Sequence, residues 1–167
     1  FATERARRAG LGKRISFIED DYRNICGECD AFVSVGMLEH VGVENYHTLG
    51  AVIDRCLAPN GVGLIHSIGR NRPEAMNAWI ERRIFPGAQP PSLGEMMGIF
   101  EPAELSVLDV ENLRLHYAET LRQWMQRYLA VFDEVRALRG SEFARAWQLY
   151  LAGSIAAFTT GRMQLFQ

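Results

Sequence analysis

Short apolar runs that alternate with helical patterns and tight turns restrict this 167-residue chain more than any other feature of its sequence. Arg14-Ile15-Ser16-Phe17-Ile18 reads as a strand following a basic amphipathic helix that Gly10-Leu11-Gly12 terminates. Ala31–Val35 is an apolar run bounded by Asp30 and Gly36, suited to a buried parallel strand. Residues 43–57 place Tyr46, Leu49, Ile53 and Leu57 on one helical face. Pro59-Asn60-Gly61 then turns the chain into a third strand, Val62–His66. Strand, helix and strand in this order predict a parallel α/β sheet over residues 1–69.

Beyond Gly69 the pattern changes. Residues 70–105 are rich in prolines, methionines and aromatics in short helical pieces, and read as a lid inserted over an apolar pocket. Ser92-Leu93-Gly94-Glu95 has the spacing of a capping box ahead of Met96, Met97, Ile99 and Phe100. In residues 106–167 a strand is expected over Leu105–Leu115, followed by two long helices. The first, about 118–138, carries Leu121, Trp124, Met125, Tyr128, Phe132 and Val135 on one stripe; the second, about 142–160, is capped by Ser141. Met163–Gln167 reads as the beginning of a strand, and no internal repeat is present.

With 48% apolar and 23% charged residues the chain suits one globular domain and not a disordered segment. A formal charge of −2 supplies no basic field, which argues against nucleic-acid binding. The start, Phe1-Ala2-Thr3-Glu4-Arg5, is charged and helical, unlike a signal peptide. The uncharged run Ala146–Gly161 is too short to cross a bilayer and reads as a core helix. Three cysteines suit a reducing cytosol; the Cys26-x-x-Cys29 pair lacks a second pair or suitably spaced histidines, so no metal site is expected. His40 and Glu44 likewise want a third ligand, and His47 reads as a solvated helix residue. The chain opens in a helix, without the strand and glycine-rich turn with which a doubly wound domain begins. That predicts a portion whose amino-terminal strands are missing, or another fold.

Three segments carry the chemistry. Ser34-Val35-Gly36-Met37-Leu38-Glu39-His40 puts an acid just past a strand's carboxyl end, where open α/β sheets keep their ligands. Leu64-Ile65-His66-Ser67-Ile68-Gly69 puts an imidazole at the end of the next strand, and Leu115-His116-Tyr117-Ala118-Glu119 a phenol at a helix entrance. Together with Asp21-Tyr22-Arg23, Ile84-Phe85-Pro86-Gly87 and Leu121-Arg122-Gln123-Trp124, the chain resembles, over essentially its whole length, the cyclopropane fatty acid synthase family of S-adenosylmethionine-dependent methyltransferases, which includes the mycolic acid cyclopropane synthases.

The resemblance implies the carboxyl-terminal portion of a Rossmann-like class I methyltransferase fold with a helical lid insertion. It also implies a reaction in which the cis double bond of an acyl chain attacks the sulfonium methyl of S-adenosylmethionine. The resulting carbocation loses a proton from the new methyl group and closes a cyclopropane ring. The base is a bicarbonate ion, since a bare carboxylate is costly in an apolar pocket. Carried over, Glu39 accepts the bicarbonate O–H, while His66, Tyr117 and the Ile68 N–H donate to its oxygens. Asp21 and Tyr22 fall near the cofactor's adenine, and the Val35-Gly36 main chain near its sulfonium. A further cysteine ligand and the glycine-rich cofactor loop of the family have no counterpart in these residues. The implied partner is an unsaturated phospholipid acyl chain, met at the inner face of the membrane by a cytoplasmic, peripheral protein. Exposed strand edges left by the missing strands point to a companion segment, an exchanged homodimer or a longer polypeptide.

Each residue has a blander reading. Glu39 is also a first-turn acid, His66 a half-buried strand-end histidine, and Tyr117 an amphipathic helix-entry residue with its hydroxyl in water. Trp79, Met96, Met97 and Phe100 are either lid packing or an acyl-chain tunnel. Two alternatives to ring closure stand beside it: another lipid or amine methyltransferase of the same superfamily, and a non-catalytic lipid-binding remnant.

Overall fold

The computed structural model describes residues 1–167, and begins with helix α1 (Ala2–Arg8). Glu4 bonds both Arg7 and Arg8 one turn on. The helix ends as expected: the Gly10 N–H donates to Arg7 O and the Leu11 N–H to Ala6 O, closing the last turn with paired backward bonds. The Arg14–Ile18 strand does not form; these residues are irregular and Ile18 is 75% exposed. A strand is defined by its ladder, and no other segment pairs with this one.

Three strands make the sheet, in the order β1-β2-β3: β1 (Cys29–Val35), β2 (Leu57–Gly69) and β3 (Gln164–Phe166). β1 and β2 are parallel, as the alternation predicts, with Val33 opposite Leu64 and Val35 opposite His66. The expected turn at Pro59-Asn60-Gly61 appears as an irregularity inside β2: Cys29 faces Leu57 and Ala31 already faces Val62. The expectation that Ala31–Val35 is buried is not met. β1 is an edge strand, and Val33 is 70% exposed.

Helix α2 (Tyr46–Cys56) returns the chain from β1 to β2 and buries Tyr46, Leu49 and Ile53, three of the four residues expected on its inner face. Leu57, the fourth, begins β2. After the short helix α3 (Ala78–Arg83), helix α4 (Leu93–Phe100) starts with the capping box read from the sequence: Ser92 Oγ accepts from the Glu95 N–H (3.2 Å) and Glu95 Oε2 accepts from the Ser92 N–H (2.7 Å). α4 does not stand off as a lid. Met96 and Ile99 join Leu38, Tyr46, Leu49, Ile53, Ile65 and Phe166 in one core. α2 and α4 approach so closely at Gly50 that a Cβ there would lie 2.1 Å from Ile99 O, inside any tolerable contact.

The opposite side of the sheet carries α5 (Arg114–Ala130), α6 (Phe132–Arg139) and α7 (Ser141–Thr159). Ala118, Leu121, Tyr128, Leu151, Phe158 and Leu165 form the second core there. Truncating a fully buried residue such as Leu121 costs about 2–5 kcal/mol. The single helix expected over 118–138 is two, broken at Val131, and starts four residues earlier, where the Arg114 guanidinium donates to Phe158 O and Thr159 O at the end of α7. The cap of α7 is Gly140, not Ser141, and no side chain bonds its first turn. The strand expected over Leu105–Leu115 reduces to one antiparallel bridge, Asn112 with Phe166, flanked by paired N–H donations between Glu111 and Gln167. β3 is only three residues long and offers no further partner.

Candidate active site

Successive strand residues face opposite sides of a sheet, and that alternation sorts the site. Ile65 and Phe166 belong to the α2–α4 core, whereas Leu165 belongs to the α5–α7 core and Ile68 packs against it. His66 and Ile68, two residues apart in β2, therefore face the α5–α7 side. In the β2–β3 register Ile68 lies opposite Leu165, which puts Gln167 opposite His66.

Beyond β1 the Gly36 N–H donates to His66 O (2.9 Å), and the chain leaves the sheet through a left-handed turn at Gly36, φ 65°. A 3₁₀ turn, Leu38–His40, follows; it buries Leu38 and Glu39 and leaves His40 outside, its ring edge-on to Phe85. Because β1 ends opposite His66, the Ile68 N–H has no strand partner on that side, and Glu39 Oε1 takes it at 2.6 Å. Glu39 Oε2 is buried with no partner at all. The Glu39 carbonyl accepts from the Gln89 N–H (2.7 Å), which ties the proline-rich segment to the same spot.

Tyr117 stands in the first turns of α5, half-buried, its ring edge-on to Phe158 at 4.8 Å and Trp124 at 6.3 Å. Burial raises its phenol above the ordinary tyrosine range, and the charges of Tyr150 and Glu39 raise it further. The hydroxyl is thus held as a neutral donor within the electrostatic reach of Glu39. Tyr46, under the same carboxylate, is raised by burial first and then by Glu95, Glu39 and Glu44, while its hydroxyl donates to Leu38 O (3.3 Å). His66 does not turn to Glu39: its Nδ1 is in hydrogen-bond contact with Gln167 Oε1 (3.1 Å), leaving Nε2 as the free ring atom. Glu39 and Ile68 are in direct contact, Tyr117 feels Glu39, and His66 shares the α5–α7 face of β2 with Ile68, its ring held by Gln167.

Sequence reasoning missed three contributors. Gln167 is found only through the β2–β3 register, and Gln89 only through its backbone bond. Tyr150, whose own phenol is raised by burial, sits in α7 where the apolar pattern reads as core.

The remaining residues divide. Val35 and Gly36 lie beside His66 at the sheet's carboxyl edge, and a Cβ built on Gly36 would meet nothing within 4 Å, so the main chain there is open to an approaching group. Asp21 caps the 3₁₀ turn Tyr22–Asn24 and is bonded in fork fashion by the Arg23 guanidinium (2.9 and 2.7 Å), which holds its carboxyl down at about 2. Tyr22 packs against the first core, and Arg55 at the far end of α2 donates to the carbonyls of Arg23 and Ile25. An open groove of about 890 Å³ runs between β2 and residues 105–111, floored by Met96, Met97 and Phe100; neither Trp79 nor any of Glu39, His66, Ile68 and Tyr117 lines it. No group of three His, Cys, Asp or Glu side chains is placed to hold a metal, and the three cysteines are free. A buried carboxylate oxygen in want of a donor can accept an O–H from a small ligand.

A family model described as mycolic acid cyclopropane synthetase matches residues 1–167. The chain is 36% identical over 157 residues to the cyclopropane-fatty-acyl-phospholipid synthase of Escherichia coli, covering 93% of this chain and 41% of that one. It is 35% identical over 173 residues to the tuberculostearic acid methyltransferase UfaA1 of Mycobacterium tuberculosis, covering 99% and 40%. The chain thus spans about two-fifths of the length of these relatives. Among solved structures, the mycolic acid cyclopropane synthase CmaA1 complexed with SAH and CTAB superposes with a TM-score of 0.81 at 27% identity, over 90% of this chain and 57% of that one. The cyclopropane synthase MmaA2 of Mycobacterium tuberculosis shares the fold, with a TM-score of 0.81 at 23% identity over 96% and 65%.

Proposed function

Because this chain belongs to the mycolic acid cyclopropane synthetase family, we propose that it is the carboxyl-terminal part of an S-adenosylmethionine-dependent enzyme that converts the cis double bond of an unsaturated phospholipid acyl chain to a cyclopropane ring. When bound, S-adenosylmethionine supplies the electrophilic methyl group, and bicarbonate supplies the base for the proton lost at ring closure. The residues present fit both groups: open main chain at Val35-Gly36 for the first, and the unpartnered Glu39 Oε2 for the second.

Glu39 Oε2 accepts an O–H and thereby fixes one face of the ion, the role the resemblance assigns it. Its other oxygen is already held by the Ile68 N–H, so the carboxylate cannot swing away. The expected donation from the Ile68 N–H to the ion is corrected: β1 ends before it, and the N–H goes to Glu39 itself. Tyr117, kept neutral, retains the O–H with which it donates to an oxygen of the ion. Gln167 fixes the ring plane of His66, which donates to an oxygen of the ion in the form that carries a proton on Nε2. Phe158, edge-on to the Tyr117 ring at 4.8 Å, fixes the direction of the phenol. The carrying observation is the buried, unpartnered Glu39 oxygen, because such a group is rarely left unsatisfied without a ligand.

The relatives named for fatty-acyl and tuberculostearic substrates support a lipid acyl chain. No helix is long and apolar enough to cross a membrane; contact with the inner face of the bilayer is proposed as peripheral, in a cytoplasmic protein, with a homodimer as the covered form of the exposed β1 edge. Removing bicarbonate from the assay tests the reading. The ring-forming rate falls and returns on readdition; a rate indifferent to bicarbonate favours placement of a plain methyl group on a lipid or amine instead.

A further inference from the structure

Arg70 follows directly on β2, and its side chain is 6% exposed. Its Nη1 donates to the carbonyls of Glu74 (2.6 Å) and Ala75 (2.9 Å), and its Nη2 to Met76 Sδ (3.3 Å). All of these acceptors are neutral, and no carboxylate pairs with the guanidinium. Its Nε is buried with no partner. Glu74 and Glu95 act on this buried cation only through space, and a buried donor left without a partner is an unfinished arrangement.

Around it lies an open hollow of about 390 Å³ lined by Arg70, Asn71, Arg72, Glu74, Thr160, Gly161 and Arg162, with no apolar side chain. Arg162 and Arg72 reach Glu74 at 3.0 and 3.6 Å, one on each carboxylate oxygen. The lining of the hollow thus carries three guanidinium groups and one carboxylate, leaving two positive charges in excess within it. The carbonyls at the end of α7 do not answer them, since those are taken by Arg114, Asn71, Gln164 and Thr160. None of the three arginines that line the hollow bonds a carbonyl of α7.

We infer that this hollow is a binding site for a phosphate group, ester or free, held by Arg70, Arg72 and Arg162 beside the candidate active site. Planar guanidinium forks match phosphate oxygens in pairs, and a doubly charged oxyanion balances the two spare charges. Arg70 stands two residues beyond Ile68, which meets Glu39, so the phosphate site and the reactive site share the carboxyl end of β2. The source of the phosphate is a lipid head group or a soluble phosphate ester; the lipid source rests on the proposed function, the site itself does not.

The test is calorimetric titration of the protein with inorganic phosphate, without methyl donor, at low salt. Wild type binds; the double variant Arg72→Gln with Arg162→Gln, at exposed positions, loses about fivefold per arginine. Glu74→Gln, which removes the competing carboxylate, binds phosphate more tightly. Circular dichroism reports that each variant is folded. Absence of binding by wild type and Glu74→Gln alike, or an affinity unchanged in the double variant, overturns the inference. Flotation with phosphatidylglycerol vesicles then separates the sources: arginine-dependent flotation that phosphate competes away assigns a lipid head group, and phosphate binding without it assigns a soluble ester. Because no methyl transfer is measured, failure of the proposed reaction and failure of this site are read separately.

Discussion

Glu39 Oε1 lies 2.6 Å from the main-chain nitrogen of Ile68, twenty-nine residues further along the chain. One oxygen of the carboxylate is spent on the end of β2, and the other is left buried and free to accept. A side chain anchored at one oxygen presents the second in a fixed direction, the condition for preorganised catalysis.

Glu39→Gln keeps the anchoring oxygen but replaces the free acceptor by an amide. Turnover of the enzyme containing this chain is expected to fall by about 10²–10⁴-fold, the range of a lost acid–base partner. Calorimetric binding of S-adenosylmethionine stays nearly unchanged. An undiminished rate removes Glu39 from the mechanism.

Tyr117 titrates above the ordinary phenol range, chiefly through burial and in part through Glu39. The raised value means that the neutral phenol stabilises the fold fully below pH ~10, and that this contribution is lost as pH rises through the folded-state value. Difference absorbance near 295 nm, with Tyr117→Phe as the blank, is expected to show late ionisation. In Glu39→Gln the same ionisation comes at lower pH. Identical curves in the two backgrounds show that the carboxylate does not act on the phenol.

Asp21 is held down at about 2 by Arg23. A depressed carboxyl contributes stability above its unfolded value of ~3.9, and loses it as pH falls through 2. Carboxyl chemical shifts followed by NMR are expected to place the Asp21 midpoint near 2 and, in Arg23→Gln, near the ordinary value. A midpoint of 4 in the unaltered protein rejects the fork pairing.

Val33 stands exposed on the edge strand β1. Uncovered apolar edges recruit other strands, and a lysine there opposes that. Val33→Lys is expected to lower light scattering of concentrated protein at unchanged circular dichroism. Unaltered scattering places self-association elsewhere.

What was legible in the sequence was local in origin. The Gly10 terminator, the Ser92–Glu95 capping box and the buried face of α2 each depend on residues within a few positions of one another, and each formed as read but for Leu57, which passes to β2. The strand expected at Arg14–Ile18 and most of that at Leu105–Leu115 failed for the opposite reason. A strand has no internal hydrogen bonds, so propensity alone cannot make one where no ladder partner is present. Helix boundaries slipped at Val131 and Gly140, where backbone geometry and not a capping side chain decided the break.

The sequence by itself determined the alternation of elements, the residue types of the site and their order, because periodicity and motif spacing are written along one dimension. Tertiary structure alone decided that Glu39 spends one oxygen on Ile68, that Gln167 claims His66, and that the Nε of Arg70 is buried without a partner. Each of those outcomes depends on where strands end and how they pair. A hydrogen bond or an unpaired charge exists only between groups that the fold brings within about 3 Å of one another, and separation along the chain carries no record of it.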